Sequence, residues 1–485
     1  LHPLHRQLVV LRVLGLLLMA LSLSFLPPLL VSVSYSDGEQ AHFLYAFGIT
    51  LLTGLVAWLP ARNLQVELRT RDGFLVVSLF WLVLGTLSGL PFILGPHLSI
   101  TDAVFESISA FTTTGATVMT GLDALPPSVQ WHRQQLQWFG GMGIIVLAVA
   151  VLPVLGIGGM QLYRAETPGP MKEEKLAPRI ADSARFLWLI YIGLTLACAT
   201  GYWLAGMSLF DALTHSFTTI STGGFSTHDA SMAYFDSALI ECIAIVFMLL
   251  GGINFAVHYQ VFRGRDPRQY LKDVEVRTFL LVVMAVTIAI TLTLWLTGEY
   301  ASLATALRYS AFQVASVITS TGYTTTDFSL WPLFIPVLLI FISFMGGCGG
   351  STAGGMKVMR YVLLIQQSSR ELRRLVHPRA MMPVKLGGRV VDPRILHAVW
   401  GFFSVYIATF GLLMLGVMAT GIDQVTAFGA VATSMNNLGP GLGEVAGNFT
   451  SLNDTAKWLC TAAMLMGRLE IFTILVLLSP EYWRR

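Results

Sequence analysis

Charge and cysteine are both scarce in this sequence. Asp, Glu, Lys and Arg make up 12% of the 485 residues, about half the share of an ordinary soluble chain, while apolar residues reach 54%. That balance argues against a soluble protein. The four cysteines, Cys198, Cys242, Cys348 and Cys460, stand singly in apolar stretches, with no CxxC pair and no His/Cys spacing suited to zinc, so neither a disulfide framework nor a metal knuckle is expected. A net charge of +3 gives no reason to expect a polyanionic partner such as nucleic acid. There is no HExxH motif, and Gly349-Gly350-Ser351-Thr352-Ala353 misses GxSxG at its last position, so no enzyme is expected.

What the sequence has in place of charge is long apolar runs. A membrane-crossing helix needs roughly 20 apolar residues. Ten stretches qualify, at about 8–34, 42–59, 74–95, 135–157, 186–206, 238–262, 278–297, 331–357, 395–420 and 457–479. The distribution of basic residues orients them. Of 30 Lys and Arg, 26 fall at the N-terminus, in 61–73, 160–185, 263–277 and 357–394, and at the C-terminus, whereas the connections 97–130, 207–236 and 421–454 hold none. By the positive-inside rule the basic side, with both termini, is cytoplasmic.

The outward connections are about 30 residues long, and their interiors are too apolar for aqueous loops. Each ends in a small polar run closing on glycine: Thr112-Thr113-Thr114-Gly115, Ser221-Thr222-Gly223-Gly224, Thr319-Ser320-Thr321-Gly322 and Asn436-Asn437-Leu438-Gly439. The glycines are spaced by 109, 98 and 117 residues, enough for one span, one re-entrant segment and another span. An all-α polytopic membrane protein is therefore expected, with four pseudo-repeated helix, pore-loop, helix units around one central pore, preceded by two extra transmembrane helices. Its parts would be an N-terminal two-helix segment (1–70) and pore repeats at 71–160, 186–265, 275–365 and 395–480, the third with a broken second helix.

Non-helical backbone at membrane depth is tolerated only inside protein or along a watery cavity, so four such loops imply a shared pathway. A half-helix aims its carbonyl-rich end at the membrane centre, and the polar run after it can turn carbonyls inward to replace a cation's hydration shell. The candidate cation contacts are Thr113, Thr114, Gly115, Thr222, Gly223, Gly224, Ser320, Thr321, Gly322, Asn437, Leu438 and Gly439. Packing motifs alone have no reason to recur once per repeat at one depth.

These four unequal runs in one chain resemble those of the Trk/Ktr/HKT superfamily of potassium transporters. Gln137-Trp138-Phe139-Gly140-Gly141-Met142-Gly143, Gly224-Phe225-Ser226-Thr227-His228-Asp229, Asn436-Asn437-Leu438-Gly439-Pro440-Gly441 and Gly467-Arg468-Leu469-Glu470 are similar to the bacterial TrkH family within it. The resemblance implies K+ as the transported ion, no organic cofactor, and a homodimer in the lipid of the bacterial inner membrane. It also implies a cytosolic TrkA-type nucleotide-binding ring as regulatory partner. The fourth run departs from the pattern with its asparagines and Leu438, and the second doubles its glycine, so fourfold geometry is only approximate.

Two further features point to gating. Trp331 to Ile365 is too long for one span, and Gly346, Gly347, Gly349, Gly350, Gly354 and Gly355, with Ser351 and Thr352, put six glycines in ten positions. At about 1 kcal/mol per glycine this cannot be helix interior; a flexible loop at the cytoplasmic half of the pore is expected. A phosphate-binding loop fails on spacing, because Met356 separates Gly355 from Lys357. Arg468 falls mid-way along the last apolar stretch, where a charge must face protein or water. It is either a structural arginine bound to carbonyls or a carboxylate, or a fixed positive charge opposing cations in the pore; the family resemblance favours the second. A proton- or sodium-coupled cation symporter is the alternative function, needing intramembrane acids such as Glu241 and Glu470. The acids Asp102, Glu106, Asp211, Asp229 and Asp327 beside the outward loops would concentrate cations or simply be solvated. His215, His228 and His258 lack metal spacing. The basic stretch 370–394 suits regulator docking or anionic lipid.

Overall fold

The computed structural model describes residues 3–63, 70–146, 180–379 and 382–484. The expected end of the fourth apolar stretch near 157 and most of the basic segment 160–185 lie outside the described residues. Apart from a two-residue ribbon pairing Lys385–Leu386 with Arg389–Val390, the regular structure among the described residues is helical.

Among the described residues six helices are long and apolar enough to cross a membrane, and two sharply bent helix pairs bring the number to eight. Their outer faces are apolar because lipid is the solvent there. In the helix Val274–Leu296, Leu281, Met284, Ile288 and Leu292 recur at helical spacing and are exposed, while Val276, Phe279, Ile290 and Leu294 on the other side are buried. The remaining two expected spans correspond to Pro127–Val146 and to the short helix Ile335–Met345.

Four short helices lie between the spans and are buried along most of their length: Ile100–Phe111, Leu209–Ile220, Leu303–Ile318 and Gln424–Asn436. Each starts on a capping side chain, Ser99, Ser208, Ser302 or Asp423, whose oxygen accepts a first-turn N–H. These pore helices carry the polar runs at their C-terminal ends.

Two of the helices that follow them differ from the expected straight spans. Ala238–Gly252 meets Phe255–Gly264 at 100°, and Asp454–Arg468 meets Phe472–Leu478 at 112°. Ile335–Met345 gives way to the Gly-rich segment before Val358–Val376. Only Pro127–Val146, in the first repeat, runs on without a break as far as it is described. Arg468 is thus the last residue of its helix rather than a mid-helix residue, because Glu470 and Ile471 take positive φ and turn the chain.

Candidate functional site

The four polar runs fold alike. Each pore helix ends in a residue of left-handed conformation, Thr113, Thr222, Ser320 or Asn437, with φ of 55, 51, 53 and 53°. The next residue's N–H reaches back five positions to a helix carbonyl at 2.8 Å: Thr114 to Ser109, Gly223 to Thr218, Thr321 to Ser316 and Leu438 to Thr433. This is the Schellman closure, made here on side-chain-bearing residues instead of the usual glycine. Two residues past the left-handed position stands the glycine, with φ of 80, 78, 82 and 99° for Gly115, Gly224, Gly322 and Gly439. Any side chain there would be strained.

The four runs close into a ring. A Cβ on Gly115 would strike the Gly223 carbonyl oxygen, one on Gly224 the Thr321 carbonyl, and one on Gly322 the Leu438 carbonyl; one on Gly439 would lie 2.9 Å from the Thr114 carbonyl. Each glycine therefore lets the next repeat's run, in cyclic order, come into backbone contact. All four glycines border one cavity of about 120 Å³, lined otherwise by residues that follow them, among them Ser226, Asp229 and Thr324. Thus the twelve residues nominated from the sequence are brought together.

The repeats brace the ring by different means. In runs one and three a hydroxyl pair locks the turn, Thr112 with Thr114 at 2.8 Å and Thr319 with Thr321 at 2.7 Å. Gly223 has no such hydroxyl, and Gln137 substitutes, donating Nε2 to the Gly223 carbonyl at 2.7 Å and accepting from Phe225 N–H at 3.0 Å. In the fourth run Asn437 Nδ2 donates to Thr114 Oγ1 at 2.9 Å and to the Met464 carbonyl at 3.0 Å. The asparagines are the fourth repeat's substitute for hydroxyls. Tyr323 ties run three to the second pore helix by donating to the His215 carbonyl at 3.0 Å.

The outward acids are mostly engaged. Glu106 and Arg133 form a fully buried ion pair at 2.8 Å, Glu106 also accepts from Val118 N–H, and Arg133 donates to the Ser226 carbonyl. Asp102 binds Lys457, Asp327 binds Ser329, and Asp229 accepts from Leu122 N–H. Asp229 alone of the five acids borders the cavity. His228 stacks on Tyr234, sits 2.5 Å from Asp123 and 3.5 Å from Asp211, and fastens the outer loops of repeats one and two. Burial would lower its pKa, but the Asp211 and Asp123 carboxylates outweigh burial and raise it. His215 and His258 also have hydrogen-bond partners, Ser226 Oγ and Tyr270 Oη among them.

The Gly-rich segment lies on the opposite face of the ring, against residues that precede the glycines. Thr352 Oγ1 is 3.0 Å from the carbonyl oxygens of Ile220 and Gly251 and 3.2 Å from Thr222 Oγ1. Gly354 N–H donates to Ser320 Oγ at 2.6 Å, and its Cα leaves no room for a side chain beside the Asn436 carbonyl. Arg468 donates Nη1 to the Thr352 carbonyl at 2.9 Å and Nη2 to the Gly140 carbonyl at 3.2 Å, while its Nε has no hydrogen-bond partner among the described residues. The segment meets repeats two, three and four, and Arg468 reaches repeat one. The expected loop is therefore buried and closely packed, because its glycines allow contact at backbone distance on several sides. Of the two partner types open to a structural Arg468, the carbonyls are present; among the described residues no ion pair joins it to a carboxylate, and Glu470 pairs with Arg360 instead.

Sequence reasoning missed the role of Gly140, Gly251 and Gly467. A Cβ on each would press on the carbonyl of the final or penultimate residue of its own pore helix, Phe111, Ile220 or Met435. Their signal was available: they follow the ring glycines by 25, 27 and 28 residues. The buried Glu106–Arg133 pair had none, since its members are 27 residues apart on two helices.

The TrkH family model, described as a cation transport protein, matches residues 39–485. The Trk system potassium uptake protein TrkH of Vibrio parahaemolyticus is 54% identical over 479 residues, covering 98% of this chain and 99% of that one. The protein of the same name from Escherichia coli K12 is 53% identical over 475 residues, covering 98% of each. The crystal structure of the potassium transporter TrkH from Vibrio parahaemolyticus matches with a TM-score of 0.91 at 51% identity, over 100% of both chains. Four glycine-closed loops in one ring and this likeness over nearly the whole length lead to one conclusion: the chain belongs to the TrkH family of cation transport proteins, a multi-pass membrane transporter and not an enzyme.

Proposed function

We propose that the protein takes up potassium across the bacterial inner membrane through a filter made by the four-loop ring. The observation that carries this reading is the cyclic contact of Gly115, Gly224, Gly322 and Gly439, each with a carbonyl of the next run. Carbonyls gathered in this way offer a dehydrated cation several oxygens at once, and the four negative helix ends add a favourable field. Potassium as cargo is supported by the names of the relatives. The Gly-rich segment and Arg468 act as the gate, since together they cover the face of the ring away from the cavity and touch all four repeats. Control by a cytosolic nucleotide-binding ring, a homodimeric assembly and cytoplasmic termini complete the reading; the Trk system names of the relatives support partner subunits.

A coupled symporter needs an intramembrane acid free to change its charge. The two acids considered for that role are both in ion pairs, Glu241 with Arg308 at 2.8 Å and Glu470 with Arg360 at 2.5 Å. This favours the channel-like reading.

Ion flux into liposomes holding the purified protein, with K+, Rb+ and Na+ compared, tests the proposal. Gly322→Ser places a side chain at positive φ against the Leu438 carbonyl and is expected to change K+/Na+ discrimination more than protein yield. Wild-type relative permeability in that variant would remove Gly322 from the filter. Shortening 346–355 is expected to raise basal flux; a folded variant with unchanged flux would make the segment a hinge.

A further inference from the structure

The connection 254–275 leaves the Gly-rich segment and returns to it. At its start, Phe255 N–H donates to the Gly350 carbonyl at 3.1 Å, and Asn254 Oδ1 lies so close that a Cβ on Gly350 would stand 2.9 Å away. Here the 100° break in the second repeat's inner helix frees the Gly251 and Gly252 carbonyls from helical partners. They accept instead from Thr352 N–H at 3.3 Å and Cys348 N–H at 2.9 Å. At its end, Glu275, buried in the first turn of Val274–Leu296, accepts at one oxygen from Gly349 N–H at 2.8 Å and Met359 N–H at 3.2 Å. Gly349 lies in the Gly-rich segment and Met359 in the first turn of the helix Val358–Val376 that follows it, so one carboxylate oxygen staples the segment to the start of that helix. Between the two attachments the connection carries Arg263, Arg265, Arg268 and Lys272, all exposed on the basic side of the protein.

We propose that the connection 254–275 is a lever fastened to the Gly-rich segment at both ends, with Glu275 as the positioning residue that holds the segment against the ring. A force on the exposed basic part reaches the segment through Asn254 and Glu275 without passing through the ring. This rests on the segment being the gate. Loss of the Glu275 acceptor leaves two buried N–H groups unpaired, which favours the released arrangement.

The test uses the full-length chain in liposomes, with Glu275→Ala, Glu275→Gln and the shortened 346–355 variant measured side by side. Basal Rb+ flux per folded molecule is expected to rise severalfold in Glu275→Ala and less in Glu275→Gln, which keeps an oxygen acceptor, with the K+/Na+ ratio unchanged. Cys348, buried in the segment, supplies a local reporter: its labelling by a small methanethiosulfonate should accelerate while that of buried Cys198 and Cys460 does not. Flux and Cys348 labelling at wild-type rates would overturn the proposal. So would equal acceleration at all three cysteines, which would mark Glu275 as a general stabiliser. Should Glu275→Ala not fold, Glu275→Gln carries the test, and no rise in its flux is the overturning result. If the shortened variant conducts faster and the Glu275 variants do not, the lever fails and the gate stands. If the shortened variant is also unchanged, the gate reading itself fails.

Discussion

The ring and the Gly-rich segment are both buried, non-helical and dependent on left-handed residues, yet they are held in opposite ways. Each ring loop is closed by its own helix, through a bond from residue i to i−5 that recurs four times at 2.8 Å. The Gly-rich segment takes much of its support from elsewhere: Gly251 and Gly252, Ser320, Glu275 and Arg468. A loop closed on its own helix stays formed as long as that helix does. A segment held by several separate elements is released when any of them shifts, which is what a gate requires.

The comparison breaks most severely if the support behind the ring is removed. Glu106→Ala or Arg133→Ala strands a fully buried charge in the first repeat, where Arg133 also reaches Ser226 of the second, at about 3–5 kcal/mol. Either variant should melt far earlier in detergent or fail to accumulate; an unchanged melting temperature would show that the ring does not depend on the pair.

Arg468→Ala acts on the other side. A positive charge about 6 Å from a passing K+, at an effective dielectric of about 20, opposes it by roughly 3 kcal/mol. Flux per folded molecule should rise strongly. If Arg468→Ala and Arg468→Lys both express poorly while flux per folded molecule stays at wild type, the arginine is structural. Ser320→Ala sharpens the contrast, because Ser320 belongs to the ring but its hydroxyl accepts from the Gly-rich segment. Stranding the Gly354 N–H costs about 1–3 kcal/mol in the closed arrangement only. Basal flux should increase with ion discrimination intact, and altered discrimination without faster flux would place the hydroxyl in the filter instead.

The smallest effect is expected at the outer clasp. The raised pKa of His228 means its charged form stabilises the fold fully below the ordinary histidine value of about 6.5, and that contribution is lost as pH rises through the folded value. The difference in melting temperature between wild type and His228→Gln should therefore be largest in mild acid and vanish in alkali. For this partly solvated group it corresponds to less than about 1 kcal/mol. A pH-independent difference would show that packing on Tyr234, not charge, is what His228 contributes.

The ring was legible because its chemistry is local. Thr112 to Gly115 and its three counterparts each carry the capping and turn residues of one loop within four positions, and a fourfold recurrence exposes them. The breaks in the inner helices were only partly legible. Six glycines announce the one at Gly346, but Gly251-Gly252-Ile253-Asn254 and Gly467 to Ile471 sit in apolar runs whose hydropathy reads as continuous helix. Composition reports whether a segment suits lipid, not whether its backbone hydrogen bonds go to itself or to a neighbour.

The sequence by itself determined the apolar spans, the recurring polar runs and the glycines that must bear positive φ, since apolar length and turn chemistry act over a few neighbours at a time. Only the tertiary structure decided the cyclic order of the ring, the partners of Arg468, and the attachment of residues 254 and 275 to one segment. Those contacts join residues 74 to 328 positions apart, and no local rule of propensity or spacing links such distant groups.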